Sequence, residues 1–333
     1  MKNCLALLIC LQSLFLQGQY FLYWHDEFDG NQLDSTKWKY DIGAGGWGNN
    51  EMQYYTNLPS NSYITNGNLV ITALNQNFGT SQYTSARIIT KDLFAFKYGR
   101  IEARIKLPMG PGLWPAFWML GANIDSQIWP TCGEIDIMEH INSESKIYGT
   151  IHFDSLGHRY RGGQFNCDPT QYHQYAVIWD STKITWLVDN VVYHEQAIFN
   201  GSLNKEEFVK PFFLLMNIAV GGNWPGGPNQ NTLFPSSMYV DYVRVYKDQS
   251  ELSVNEGNVE NISISPNPTT GIVNIEGLNL SSIILQTMDG KIVFIDNSIE
   301  SNMFDCSGLP NGIYLIHAET TSGKRISKRL IKE

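Results

Sequence analysis

Cationic runs, cysteine pairs and long apolar stretches are all scarce in this chain. Lys and Arg total 23 against 32 Asp and Glu, a formal net charge of -9. No Lys/Arg run occurs before the C-terminus, so nucleic acid and anionic membranes are poor partners and a neutral polymer suits the balance better. Of the five cysteines, Cys4 and Cys10 lie in the N-terminal segment. Cys132, Cys167 and Cys306 remain, too few for a disulfide framework, although one bridge between Cys132 and Cys167 stays open. The only extended apolar run, Leu5 to Leu16, is about a dozen residues long and falls short of the ~20 that span a bilayer. With Met1-Lys2-Asn3 before it and Gln17-Gly18-Gln19 after it, the run has the order of a secretory signal. Removal of residues 1–18 is expected, and the mature protein carries no membrane span. Long amphipathic helical patterns are missing too, and no repeat of 20 to 50 residues is evident.

Tryptophan is absent from the last quarter: all nine lie between Trp24 and Trp224. Such a shift in composition marks separate domains. The polar, aperiodic segment 248–258 reads as a linker between a large unit, 19–247, and a small one, 259–333. In the large unit, Gly99 to Leu107 alternates charged with apolar residues, the period of a half-buried strand. Asn66-Gly67 and Asp189-Asn190 each separate two strand-like runs by two residues, a hairpin signal. Many short strands punctuated by Gly, Asn and Pro predict two packed antiparallel sheets, a sandwich or jelly roll. The same grammar, with Asp289-Gly290, Asn311-Gly312 and Ser322-Gly323 as turns, predicts a small β-sandwich after Ile262.

The chemistry concentrates in Gly133-Glu134-Ile135-Asp136-Ile137-Met138-Glu139-His140. Three carboxylates stand among apolar, strand-prone neighbours. On a regular strand Glu134 and Asp136 share a face and Glu139 points the other way. One extra residue, a β-bulge near Ile137-Met138, would return Glu139 to the first face. Retaining glycoside hydrolysis requires one carboxylate to attack the anomeric carbon and a protonated carboxyl to serve the leaving oxygen. Glu134 and Glu139 suit those roles, and like-charge crowding favours a protonated Glu139. Asp136 between them would hold a hydrogen bond to Glu134 and tune its charge. The competing readings are a solvated acidic strand and a metal site. Like charges on a half-buried strand are costly unless used, and the absence of His or Cys at ligand spacing favours sugar chemistry over zinc.

These residues resemble the catalytic strand of glycoside hydrolase family 16, in its bulged, laminarinase-like branch. Trp47 to Tyr55, Trp114 to Leu120, Gly221 to Gly226 and Tyr239 to Tyr246 resemble further segments of bacterial endo-β-1,3-glucanases, so that the likeness covers about residues 20 to 247. It implies an all-β, concanavalin A-like jelly roll with an open concave cleft. It also implies retaining hydrolysis with Glu134 as nucleophile, Asp136 as its assistant and Glu139 as acid/base, and no cofactor for catalysis. A glucan cleft needs rings to pack on pyranose faces and polar groups to hold hydroxyls. Trp114, Trp118, Trp129 and Trp224 are the ring candidates, against a core-packing role for each. By similarity Asn50, Arg87 and His152 supply polar contacts, Arg87 having a salt bridge as its plainer role and His152 a structural one. Ile151-His152-Phe153-Asp154 departs from the pattern of many relatives, in which an aromatic and two glycines follow the histidine, so the resemblance does not extend to the loop after His152 and the leaving-group subsites. A structural calcium is common in the family, and the matching positions are Glu27, Gly67 and Asp241, oxygen donors of the kind that ion takes.

In the small unit, Ile264 to Gly271, Met288 to Lys291, Leu309 to Tyr314 and the basic end resemble the sorting domain of the type IX secretion system. That implies export from a Gram-negative, Bacteroidetes-type cell to the surface or medium, with the secretion machinery as a partner. A carbohydrate-binding module is the rival, disfavoured because this unit has no Trp to stack on a sugar. The leading function is a secreted, monomeric endo-β-1,3-glucanase acting on laminarin-type glucan first and mixed-linkage β-1,3/1,4-glucan second. Its rivals are hydrolysis of agar, carrageenan or porphyran on the same fold, and a non-catalytic glucan-recognition protein. Sulfated substrates call for a cationic cleft, which the cleft segments lack beyond Arg87. A silent recognition protein would not need both glutamates.

Overall fold

A computed structural model describes residues 20–198, 206–248, 263–276, 279–287, 292–296, 302–321 and 325–333. Strands dominate, and a 3₁₀ turn at Glu206–Val209 is the only helix among the described residues. The expected signal, all of the linker but Asp248, and the turns Asp289-Gly290 and Ser322-Gly323 lie outside them. The chain divides into two compact units, one of Trp24–Val245 and one that includes Tyr246–Glu333.

The large unit contains two antiparallel sheets. One runs in the order His158–Asn166, Lys146–Asp154, Glu134–Glu139, Leu113–Gly121, Phe212–Val220, Arg87–Ile89, Lys39–Tyr40. The other runs Val191–Ala197, Lys183–Val188, His173–Trp179, Gly99–Lys106, Ser236–Asp248, Asn68–Ala73, Ser62–Thr65, and Tyr20–Asp26 also pairs with Ser236–Asp248. Both two-residue hairpins form as the sequence predicts. Thr65 faces Asn68 across Asn66 and Gly67, with φ of 50° and 69°. Val188 faces Val191 across Asp189 and Asn190, with φ of 49° and 64°. Positive φ at both central residues gives the turn twist that two-residue hairpins need, which is why Asn, Asp and Gly occupy these positions.

The first sheet carries the site, and its alternation shows how. Along Lys146–Asp154 the odd-numbered residues Ile147, Gly149, Ile151 and Phe153 are buried, while Tyr148, Thr150 and His152 are only partly covered. The buried set faces the second sheet and forms the core with Phe117, Met119, Ile135, Leu214, Met216, Val177 and Trp186. At about 25 cal/mol per Å² of apolar surface removed from water, this interior is what holds the sheets together.

The small unit has sheets of Ser263–Ser265, Ile272–Glu276, Met303–Asp305 and of Ile292–Asp296, Leu280–Thr287, Gly312–Thr320, Arg325–Lys332. Val273, Ile275, Ile283, Leu285, Phe304, Tyr314 and Leu330 fill its core. The open disulfide question is answered in the negative. Cys132 and Cys167 are free thiols, and Cys132 is packed instead among Ile89, Leu120, Phe213 and Leu215.

Candidate active site

The acidic strand contains the bulge that the sequence requires. Against Leu113–Gly121, Asp136 faces Trp118 and Met138 faces Phe117, so that Ile137 has no partner of its own. On the other side Asp136 faces Thr150 and Glu139 faces Tyr148. Two consecutive side chains, Ile137 and Met138, therefore both enter the core, with 1% and 0% exposure. Glu139 turns back to the face of Glu134 and Asp136.

A bulge interrupts the hydrogen-bond ladder, and a carbonyl freed in the interior needs a donor. The facing sheet supplies one: Trp186 Nε1 donates to the Asp136 carbonyl oxygen at 2.8 Å. Gly149 makes room for that indole, since a Cβ there would lie 2.2 Å from Trp186 Cδ1 and 2.4 Å from Tyr193 Oη. Trp186 and Gly149 were not singled out in the sequence, because their role exists only across the two sheets.

Each carboxylate has its own partner. Trp129 Nε1 donates to Glu134 Oε2 at 2.8 Å. Trp114 Nε1 donates to Glu139 Oε1 at 2.9 Å. His152, opposite Glu134 in register, places Nε2 3.1 Å from Asp136 Oδ2 and 3.8 Å from Glu134 Oε1. The closer approach is an electrostatic contact rather than an aligned hydrogen bond, for Asp136 Oδ2 has no hydrogen-bond partner.

Burial controls the protonation. Burial, then the charge of Asp136, pushes Glu134 up to about 8, against the opposing pull of His152, the Trp129 N–H and Arg87. Burial also raises Asp136. Glu139 is held well above the usual carboxylate range by burial and by the charges of Asp136 and Glu134. Three carboxyls in one dry site cannot all ionise, so the cluster retains protons near neutrality. Glu139 is the natural holder, because Glu134 has the donors and cations that favour its charged form.

The expected substrate-binding residues gather on the same face. Trp114 meets Trp224 edge-to-face at 5.5 Å, and Tyr148 meets Trp224 at 4.9 Å. Trp129 and Trp224 are each 41% exposed, enough to offer a ring surface. Trp118 is more constrained, its Nε1 donating to Asn217 Oδ1 at 2.8 Å. Asn50 donates to Asn223 Oδ1 at 2.8 Å. Arg87 has the plainer of the roles weighed for it, the salt bridge, together with two ring contacts. Its Nε lies 3.1 Å from Asp41 Oδ2, and its guanidinium lies 4.5 Å from the Trp47 ring and 5.1 Å from the Trp118 ring.

Further residues of the site were not read in the sequence. Glu51 accepts from Gln53 Nε2 at 2.7 Å and from Tyr55 Oη at 3.2 Å, and Asn217 donates to that Tyr55 Oη at 3.0 Å. This chain of bonds braces Trp118 from behind. The repeated polar and aromatic residues of Trp47 to Tyr55 were the available signal, but their pairing with Asn217 is long-range. His152 also corrects one step of the zinc argument: the strand itself offers no histidine at ligand spacing, His140 being buried and paired with the Glu144 carbonyl, yet the neighbouring strand brings one. Glu134, Asp136 and His152 offer donor atoms within 4.8 Å of one another. Trp129 already claims one Glu134 oxygen, and the arrangement is that of a charge network around two acids.

The expected calcium ligands lie away from this face. Arg244 donates to both Glu27 oxygens, Nε to Oε1 and Nη2 to Oε2, each at 2.8 Å. Although burial alone would raise it, the hydrogen bonds from Arg244 and His25 hold the Glu27 pKa at about 2. Arg104 Nη1 donates to Asp241 Oδ2 at 2.6 Å, and Gly67 serves the hairpin turn. Two carboxylates already neutralised by arginines do not fit a calcium ion bound through them.

Comparison with known proteins gives the family. The model for glycosyl hydrolases family 16 matches residues 47–244, and that for the secretion system C-terminal sorting domain matches 263–333. A β-glucanase of Rhodothermus marinus is 41% identical over 244 residues, covering 68% of this chain and 85% of its own length. A glucan endo-1,3-β-glucosidase A1 of Niallia circulans is 40% identical over 259 residues, 68% of this chain. The present chain spans only 38% of that longer relative. The laminarinase catalytic domain of Thermotoga maritima superposes with a TM-score of 0.64 at 40% identity, over 69% of this chain and 99% of that one.

Proposed function

The chain belongs to family 16 of the glycosyl hydrolases, and from that membership we propose that it is a secreted retaining endo-glycosidase of β-1,3-glucan, laminarin-type first and mixed-linkage glucan second. The observation that carries the reading is the bulge, which places Glu134, Asp136 and Glu139 on one face with three different partners.

The chemistry follows from those partners. Glu134, its charge favoured by the Trp129 N–H and by His152, attacks the anomeric carbon. As the C1–O bond breaks, Glu139 passes its proton to the leaving glycosidic oxygen, and a glycosyl ester forms on Glu134. Esterification removes the Glu134 charge, so Glu139 is now an anion with less repulsion around it. It takes a proton from water while the water oxygen attacks C1, and both carboxyls return to their first state. Asp136, unpartnered at one oxygen and 3.1 Å from His152 Nε2, is placed to hold Glu134. No step calls for a metal or cofactor.

The aromatic rings and uncharged polar groups of the groove suit a neutral glucan. Arg87 does not act as a free sulfate receptor, being paired with Asp41 and covered by Trp47 and Trp118. Both glutamates are present and differently solvated, which supports catalysis over silent recognition. The full chain should release laminari-oligosaccharides of several lengths from laminarin. Turnover of carrageenan, agarose or porphyran with none of laminarin would refute the substrate class.

The tail supports export through the type IX machinery, with delivery to the surface or medium. The intact mass of the secreted protein tests it: loss of residues beyond about 248 is expected for a removed sorting domain, and its retention in full would contradict removal.

A further inference from the structure

The loop after His152 returns a second histidine to the site. Asp154 and His158 are paired across the three-residue turn Ser155-Leu156-Gly157. Leu156 and Gly157 have φ of 56° and 108°, and Gly157 N donates to Asp154 Oδ1 at 2.8 Å. The turn sets His158 on the face of His152, and the two rings stack at 5.1 Å with 12° between their planes. His152 Nδ1 and His158 Nε2 are 2.8 Å apart. Trp129, whose N–H serves Glu134, lies 4.5 Å from the His158 ring.

An N···N distance of that length requires one proton between the two rings, and its owner decides what His152 shows to the acids. If His152 Nδ1 carried it, the Nε2 lone pair would face Asp136 Oδ2 at 3.1 Å, acceptor against acceptor. If His158 Nε2 carries it, the N–H edge of His152, rather than a lone pair, is turned toward Asp136 and Glu134, at 3.1 and 3.8 Å. Neither contact is an aligned hydrogen bond, and the second arrangement is favoured because it sets a positive edge against the two acids.

We propose that His158 is a positioning residue that donates to His152 Nδ1 and so holds His152 as the tautomer whose Nε2–H faces Asp136 and Glu134. The proposal rests on Glu134 being the nucleophile for its effect on rate, though not for the tautomer itself. Around the pair stand Glu134 and Asp136 on the acidic strand, Arg159 and Tyr160 beside His158, and Trp129 above it. Desolvation, first, and the charge of Arg159 beside it lower the pKa of His158, which favours the neutral ring that the proposal requires.

The test compares His158→Phe, which keeps a stacked ring without a donor, with His158→Gln, whose amide can still donate to Nδ1. Long-range ¹H–¹⁵N spectra of the full chain assign the His152 tautomer directly, whether or not the protein turns over. Wild type and H158Q should show His152 protonated at Nε2 alone, and H158F a mixture. In kinetics on laminarin, H158F should lower kcat by about two- to tenfold, the range of one lost hydrogen bond, with a smaller change in KM. The acidic limb of its pH profile should move to higher pH, because Glu134 loses the nearby N–H edge of His152 that favours its charge, and H158Q should restore it. Protonation of His152 at Nδ1 in the wild type, or an H158F variant with unchanged tautomer and acidic limb, would overturn the proposal. The expected tautomers without any glucan cleavage would leave the positioning intact and instead count against the hydrolase reading.

Discussion

Replacing Trp186 by Phe tests whether the bulge is built from the far sheet. Trp186 is fully buried and its Nε1 is the donor at the Asp136 carbonyl. Phe leaves that oxygen unsatisfied, about 1–3 kcal/mol, and loses packing from the truncated ring, about 1 kcal/mol more. A total of about 2–4 kcal/mol lowers the melting temperature of a unit of this size by roughly 5–15 °C. Tryptophan fluorescence follows this unit alone, since every Trp lies between Trp24 and Trp224. The bulge also aims Asp136 and Glu139, so kcat at 20 °C should fall by about tenfold or more, given that an ångström of misplacement can cost about a hundredfold. Trp179→Phe is the control. It removes an equally buried indole that donates to the Phe208 carbonyl at 3.0 Å, and it should lose similar stability while the folded enzyme keeps its kcat. If W186F unfolds within about 0.5 kcal/mol of wild type, or if both variants lose activity alike, the bulge does not depend on that indole.

Stability should move against function at the carboxylates. A carboxyl whose folded pKa is raised binds more protons folded than unfolded. It is therefore compatible with the fold below its unfolded value and penalises the fold as pH rises. For Glu134 that window runs from 4.5 to about 8. Glu134→Gln should accordingly melt above wild type at pH 8 and close to it at pH 4, and an equal difference at both would refute the assignment. Gly149→Ala should destabilise strongly, because its Cβ would meet Trp186 and Tyr193 at 2.2 and 2.4 Å. A loss of under about 1 kcal/mol by urea titration would show that the two sheets can separate there. Calcium should shift the melting temperature by less than about 2 °C, and a saturable rise beyond that would mean that the ion displaces Arg244 or Arg104.

Local chemistry was legible in the sequence wherever one segment held all of it. Asn66-Gly67 and Asp189-Asn190 form the two-residue turns their residues demand, and three acids out of phase on one apolar strand required the bulge at Ile137-Met138 that the structure shows. The strand-borne candidates Arg87, Trp114, Trp118 and His152 share the face of the acids because period-two alternation transfers directly to a sheet, whereas Asn50, Trp129 and Trp224 stand in loops. What the sequence did not disclose lies between segments. Trp186 meets Asp136 across the core, Asn217 meets Tyr55 from another strand, and His158 meets His152 around a turn. Separations of 50 and 162 residues in two of these pairs carry no local signature. The arginines that occupy Glu27 and Asp241 were equally hidden, since a carboxylate reads the same whether it awaits an ion or already has a cation.

The central claim is that Glu134 attacks the sugar, and time-resolved proton NMR of laminarin with the full chain tests it most directly, with Glu134→Gln run alongside. Retention through a glycosyl ester predicts that the β-anomer of each new reducing end appears first and that the variant yields none. Early α-anomer from the wild type, or cleavage by the variant at the wild-type rate, would contradict the account.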